Sequence, residues 1–84
     1  MDEVRGKLTL AEAELAKRDL KARVTRALSR LPPDSRACVS LVDVEGLSYE
    51  EAARTLAWPV GSVAGRLFRA RRMLRELLRE EAEG

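Results

Sequence analysis

Eighty-four residues can enclose one small hydrophobic core and no second one. Apolar residues make up 45% of the chain, aromatic residues only 4% and charged residues 36%, so the core is expected from Leu, Val and Ala on amphipathic helices, and the class is all-α. One cysteine (Cys38) rules out an internal disulfide, the absence of histidine leaves no zinc site, and no apolar run approaches the ~20 residues of a membrane span.

Residues 1–7 contain Gly6 and show no period, so they are expected to fray. From Leu8 onward, Leu15, Leu20, Val24, Leu28 and Leu31 recur at helical spacing and predict a first helix. A break near Thr9 would make the bundle one of five helices rather than four. Pro32-Pro33 end this helix, because proline lacks an N–H and pushes the residue before it out of the α region.

A second helix is predicted from Pro33 or Asp34, with Ala37, Cys38, Leu41, Val42 and Val44 as its apolar stripe. Gly46 is the expected left-handed cap. Ser48-Tyr49-Glu50-Glu51 is a capping box that opens a short third helix through Ala52, Ala53 and Leu56. Ala57-Trp58-Pro59 stops it, and Trp58 is expected to pack and fix the turn. The fourth helix is predicted from about Val60 to Glu81, with Val63, Leu67, Ala70, Leu74, Leu77 and Leu78 in one stripe. Gly65, Phe68, Arg69, Arg72 and Arg79 fall on the opposite side.

The net charge is only +2, but it is unevenly placed. Residues 58–79 carry six arginines against Glu76 alone, a local charge of +5, while residues 80–84 return −3 and the first 57 residues balance. A basic segment in a neutral chain is the footprint of a phosphate-binding element. A short capped helix, a tight turn and a longer basic helix form a helix-turn-helix pattern, whose second helix places its first turns against base edges. Those residues are Ser62, Ala64, Gly65, Arg66, Phe68 and Arg69, with Arg72, Arg75 and Arg79 further along. Phe68 on a polar face either meets a thymine methyl or a partner, or folds back on a neighbouring helix. Gly65 either admits a close approach or is merely tolerated. Ser48 and Ser62 have no neighbouring base, and the carboxylates form no paired pocket, so no enzyme is expected.

The run Leu28-Ser29-Arg30-Leu31-Pro32-Pro33, then Arg36, then Asp43 to Ala53, then Pro59-Val60-Gly61-Ser62-Val63, then Arg66-Leu67-Phe68-Arg69-Ala70-Arg71 resembles region 4 of bacterial sigma factors, most of all the extracytoplasmic-function group. The likeness spans roughly residues 20–80. It divides the chain into residues 1–19, a linker or partly ordered helix, and residues 20–84, a region 4-like helix-turn-helix domain. What it implies is recognition of the promoter −35 element and binding of the RNA polymerase β flap tip.

By position, the resemblance places Ser62, Ala64, Gly65, Arg66, Phe68, Arg69 and Arg72 at double-stranded DNA. Arg36, Ser48 and Tyr49 become candidates for backbone contacts. Leu28, Leu31, Leu41 and Val42 are the candidates for polymerase binding. An anti-sigma factor is a further expected partner; a cofactor, a metal and a membrane are not expected, and the protein is expected to be monomeric and cytoplasmic.

The chain departs from the family pattern in three places. Ala64 stands where a Lys or Arg is usual, Gly65 where Ser is usual, and Ala57 where Gly is usual. Nothing in these residues corresponds to region 2 of such factors, so the resemblance leaves open whether the domain belongs to a longer protein or stands alone. Two other readings remain: an interaction module that binds polymerase or an anti-sigma factor without reading DNA, and a dimeric operator-binding regulator with Leu8, Leu10 and Leu15 as its dimer face.

Overall fold

The computed structural model describes residues 9–83; the expectations for residues 1–7 and for Leu8 lie outside them. Four α-helices follow in order, and no strand occurs among the described residues. The first, α1, is Leu10–Ser29; α2 is Pro33–Val39, continued by a π-helical turn Ser40–Val44; α3 is Tyr49–Leu56; α4 is Val60–Glu83. The all-α class and the helix-turn-helix therefore stand.

Thr9 does not break α1 but caps it. Its hydroxyl accepts from the Glu12 N–H at 3.0 Å, and its own N–H donates to the Glu12 carboxylate at 2.9 Å. The Thr9-x-x-Glu12 spacing is the signature of such a reciprocal cap, so the expected break near Thr9 is instead the start of the helix. Ala27 is the one buried residue of α1. Leu15 and Leu20, expected in its apolar stripe, are 61% and 59% exposed.

The stripe of the second helix is also displaced. Val39 is buried at 2% exposure, whereas Val44, expected inside, is 64% exposed. The cause is the π turn, in which the Glu45 N–H donates to the Ser40 carbonyl at 2.9 Å. One extra residue in that turn rotates whatever follows off the register of a regular α-helix. Gly46 then takes φ +80, as its expected role as a left-handed cap requires.

The helix-turn-helix is assembled from local rules. Ser48 and Glu51 form the expected capping box at 3.0 and 2.8 Å. At the other end of α3, Ala57 lies at φ 58, ψ 42, in the left-handed region. Its N–H donates to the Arg54 carbonyl at 3.3 Å and the Trp58 N–H to that of Ala53 at 3.0 Å. This is a Schellman closure built on alanine instead of the residue that tolerates it best. Pro59 immediately precedes α4, its carbonyl accepting from the Ser62 and Val63 N–H groups at 3.0 and 3.2 Å.

The core runs along α4. Val63, Leu67 and Ala70 have no exposed surface and Leu77 has 9%, with Leu74 and Leu78 packed beside them. Ala27, Cys38, Val39, Ala52 and Ala53 from the other helices and Leu31 from the turn after α1 complete the cluster. Such small side chains let helix axes approach closely, so a core without a fully buried aromatic still closes. The molecule is nonetheless long, 50 × 25 × 19 Å, because α4 has 24 residues and spans about 36 Å at the helical rise.

Two stability outcomes follow from the caps. Ala57→Gly relieves the left-handed alanine but gives the unfolded chain more freedom, for a net gain of about 0.5–1 kcal/mol; a lower urea midpoint at unchanged m would contradict this. Hydrogen bonds to Ser48 hold the Glu51 carboxyl below its ordinary value of 4.5. Its capping contribution is therefore complete above that value and disappears as pH falls through the lowered one. Melting temperature followed from neutral pH to pH ~3 should show a shallower acid slope in Glu51→Gln than in the wild type.

Candidate nucleic-acid interface

The helix-turn-helix presents the outer side of α4 to solvent, opposite its core stripe. Ser62, Arg69 and Arg72 are exposed, and Ala64, Gly65 and Arg66 are half-buried. Phe68 is 63% exposed and Met73 40%, so the one phenylalanine of the chain does not fold back onto a neighbouring helix. A Cβ on Gly65 would meet only the Arg69 guanidinium at 3.7 Å. No packing constraint requires glycine there.

The six arginines of the basic segment divide into two groups. Arg71 grips Asp43 with two hydrogen bonds, Nη2 to Oδ1 at 2.6 Å and Nε to Oδ2 at 3.0 Å, tying α4 to the π turn. Those bonds, with Tyr49 nearby, hold the Arg71 guanidinium still more firmly protonated. Arg79 pairs with Glu76 at 3.2 Å. The Arg66 guanidinium lies over the Trp58 ring, 5.5 Å from its centroid. Arg69, Arg72 and Arg75 hold no ion pair among the described residues. These three are the cations left for an anionic ligand.

The acidic end of α4 has a structural task that its sequence did not reveal. Glu81 accepts from Arg26 at 2.8 Å and Glu80 from Arg30 at 3.0 Å, so both carboxylates face α1. The repulsion these carboxylates would exert on an anionic ligand is reduced by the pairing. Exposed pairs of this kind contribute little to stability, but they turn the negative charge away from the arginine face.

The remaining expected residues are scattered. Arg36 donates to the Leu31 carbonyl at 3.1 Å. Ser48 is engaged in the cap of α3, and Tyr49 is half-buried beside the core. Leu28, Leu41 and Val42 are half-buried at its edge. Leu31 is 2% exposed, so its side chain serves the core and has no surface to offer a partner.

Sequence reasoning missed a groove of about 380 Å³ between α1 and the π turn. Leu20, Val24, Leu28 and Val44 line it, with Lys17 and Lys21 also in its wall. Its apolar residues were indistinguishable from core residues by period alone. Cys38 is buried, and burial pushes its thiol pKa up. Among the described residues no group of His, Cys, Asp or Glu can hold a metal, and no helix is long and apolar enough to cross a membrane.

A capped short helix, a left-handed turn and a basic helix with an uncovered outer face define the helix-turn-helix class. Residues 21–74 match the family Sigma-70, region 4, and the chain belongs to that family. It is 49% identical over 59 residues to the ECF RNA polymerase sigma factor SigE of Mycolicibacterium smegmatis, covering 70% of this chain and 23% of that protein. It is 40% identical over 73 residues to the RNA polymerase sigma-H factor of Pseudomonas aeruginosa, covering 82% and 38%. With the ECF RNA polymerase sigma-E factor of Haemophilus influenzae the identity is 40% over 63 residues, covering 75% and 33%. The chain thus spans less than two fifths of the length of these relatives.

The Arg71–Asp43 pair leads to a prediction. Both side chains are partly exposed, 44% and 33%, so Asp43→Asn should cost no more than about 1 kcal/mol after solvent screening. Thermal melting checks this; an unchanged melting temperature would mean that the pair does not help to hold α4 against the π turn.

Proposed function

We propose that residues 20–84 act as region 4 of an extracytoplasmic-function sigma factor, docking on the promoter −35 element and on the RNA polymerase β flap tip. The observation that carries this reading is the outer face of α4, where exposed Phe68 stands among exposed Arg69 and Arg72, which hold no ion pair among the described residues, on a helix whose first turn holds no acidic residue. The positive end of the helix dipole and the free N–H groups of that turn favour phosphate nearby. Arg69 and Arg72 serve base edges or phosphates, and Phe68 supplies an apolar contact. Ser62 lies at the leading end of this face. Ala64 and Gly65 offer shape but no hydrogen bond, so the DNA contact is weaker than the local charge suggests.

The apolar groove supports the polymerase part of the reading. Leu28 belongs to its wall, Leu41 and Val42 are half-buried on the neighbouring helix, and lysines beside the groove favour an amphipathic partner helix with acidic flanks. An anti-sigma factor would compete for the same surfaces. Residues 10–19, nearly all exposed on a continuous helix, suit a connecting segment.

Fluorescence anisotropy with −35 duplexes over a salt series tests the DNA reading. Arg69→Ala should weaken binding by about 1–3 kcal/mol and lower the slope of log K against log salt by about 1. Ala64→Arg should strengthen binding and steepen the slope by a similar amount. Equal affinities for wild type and Arg69→Ala at matched salt would remove α4 as the reading element.

A further inference from the structure

We infer that Arg66 is a positioning residue that locks the recognition helix through Trp58, and not one of the arginines that meet DNA. The inference rests on the DNA-binding reading above and reassigns one residue within it.

Helical geometry gives the first reason. At 100° per residue, Arg66 lies roughly 60° from the middle of the Val63–Leu67–Ala70 stripe and roughly 120° from the middle of the opposite face, where Gly65 and Arg72 sit. It is therefore a flank residue of the core side. Its burial agrees: Arg66 is half-buried, while Arg69 and Arg72 are exposed.

The partner gives the second reason. The guanidinium lies 5.5 Å from the centroid of the Trp58 ring, within the range of a cation–π contact. Trp58 is half-buried and packed on the core, and its N–H closes α3 on the Ala53 carbonyl at 3.0 Å. The same guanidinium is close enough to Cys38 on α2 to oppose the upward push that burial exerts on that thiol. Arg66 thus stands where α2, the turn and α4 converge. With an alanine strained at φ 58 beside Trp58, the turn needs a contact that holds α4 at one rotation relative to α3. A planar, permanently charged guanidinium on an indole face suits that task better than an ammonium.

The test uses the whole chain, −35 duplexes and a salt series, with Arg66→Gln, Trp58→Leu, Trp58→Phe and the Arg66→Gln/Trp58→Leu pair. Trp58→Leu removes no charge. It should nevertheless weaken DNA binding by about three- to tenfold, the size expected of a partly buried cation–π contact, with the salt slope unchanged. Trp58→Phe keeps a π face and should restore most of the affinity. Arg66→Gln should lose about as much as Trp58→Leu, and the double variant no more than either, because the two side chains act as one unit.

Because Trp58 is the only tryptophan, its emission in the DNA-free protein gives an independent measurement. Arg66→Gln should change it, while circular dichroism shows that the helices remain. If Arg66→Gln lowers the salt slope by about 1, as Arg69→Ala should, or if Trp58→Leu binds like wild type, Arg66 is a DNA contact and the inference is overturned. If the wild type shows no salt-dependent binding to any duplex, the DNA reading fails and the inference fails with it.

Discussion

α4 carries the core of the molecule along one side and leaves its other side uncovered. Val63, Leu67 and Ala70 have no exposed surface, and the side chains that cover them come from all three other helices. The outer face can stay open because the inner stripe alone closes the fold. The described residues form one small core, so an open face has to belong to a helix that also builds that core. α4 both organises that core and leaves a face open to solvent. That double role accounts for its small buried residues near the turn and for exposed polar residues such as Arg69 and Arg72 on the side away from Val63 and Leu67, with Arg66 and Arg71 on the flanks between.

The same constraint sorts the charges. An arginine near the core stripe has little option but to be absorbed by the fold: Arg71 by Asp43 and Arg66 by Trp58. Among the described residues, arginines opposite the stripe have no neighbouring helix from which a carboxylate reaches them. Glu80 and Glu81 extend the logic to the far end, where they bind Arg30, the C-cap of α1, and Arg26 within it. A formal +5 over residues 58–79 therefore overstates the charge available to a ligand. Arg69, Arg72 and Arg75 hold most of what remains.

Much of the architecture was legible because it is written in local rules. The Pro32-Pro33 stop, the Gly46 cap, the Ser48–Glu51 box and the stripe of α4 each follow from neighbours within about four residues. What escaped depended on tertiary contact or on a backbone irregularity. The π turn at Ser40–Val44 has no composition of its own, so the exchange of Val39 for Val44 in the core could not be read from spacing. Leu15 and Leu20 share the period of buried residues but lie where no other helix among the described residues covers them. Within the candidate site, the outward placement of Phe68 and Arg69 was visible from periodicity. The engagement of Arg66 and Arg71 was not, because Trp58 and Asp43 are brought to them only by the fold.

Under the proposed function, a modest DNA contact is consistent with the rest of the architecture. The uncovered face of α4 has few free cations, and Ala64 and Gly65 contribute no hydrogen bonds to bases. The apolar groove between α1 and the π turn is built from a separate set of side chains. A factor held to polymerase through that groove meets promoter DNA at an effective concentration set by the tether, not by bulk diffusion. Weak readout by α4 then suffices, since the second contact is intramolecular once the first has formed. It also has a use: a domain that bound DNA tightly by charge alone would be held at the far more numerous non-specific sites. Pairing Arg71 with Asp43 and Arg79 with Glu76 lowers non-specific attraction while preserving the fold, and under this reading selectivity rests on the two turns around Phe68 and Arg69.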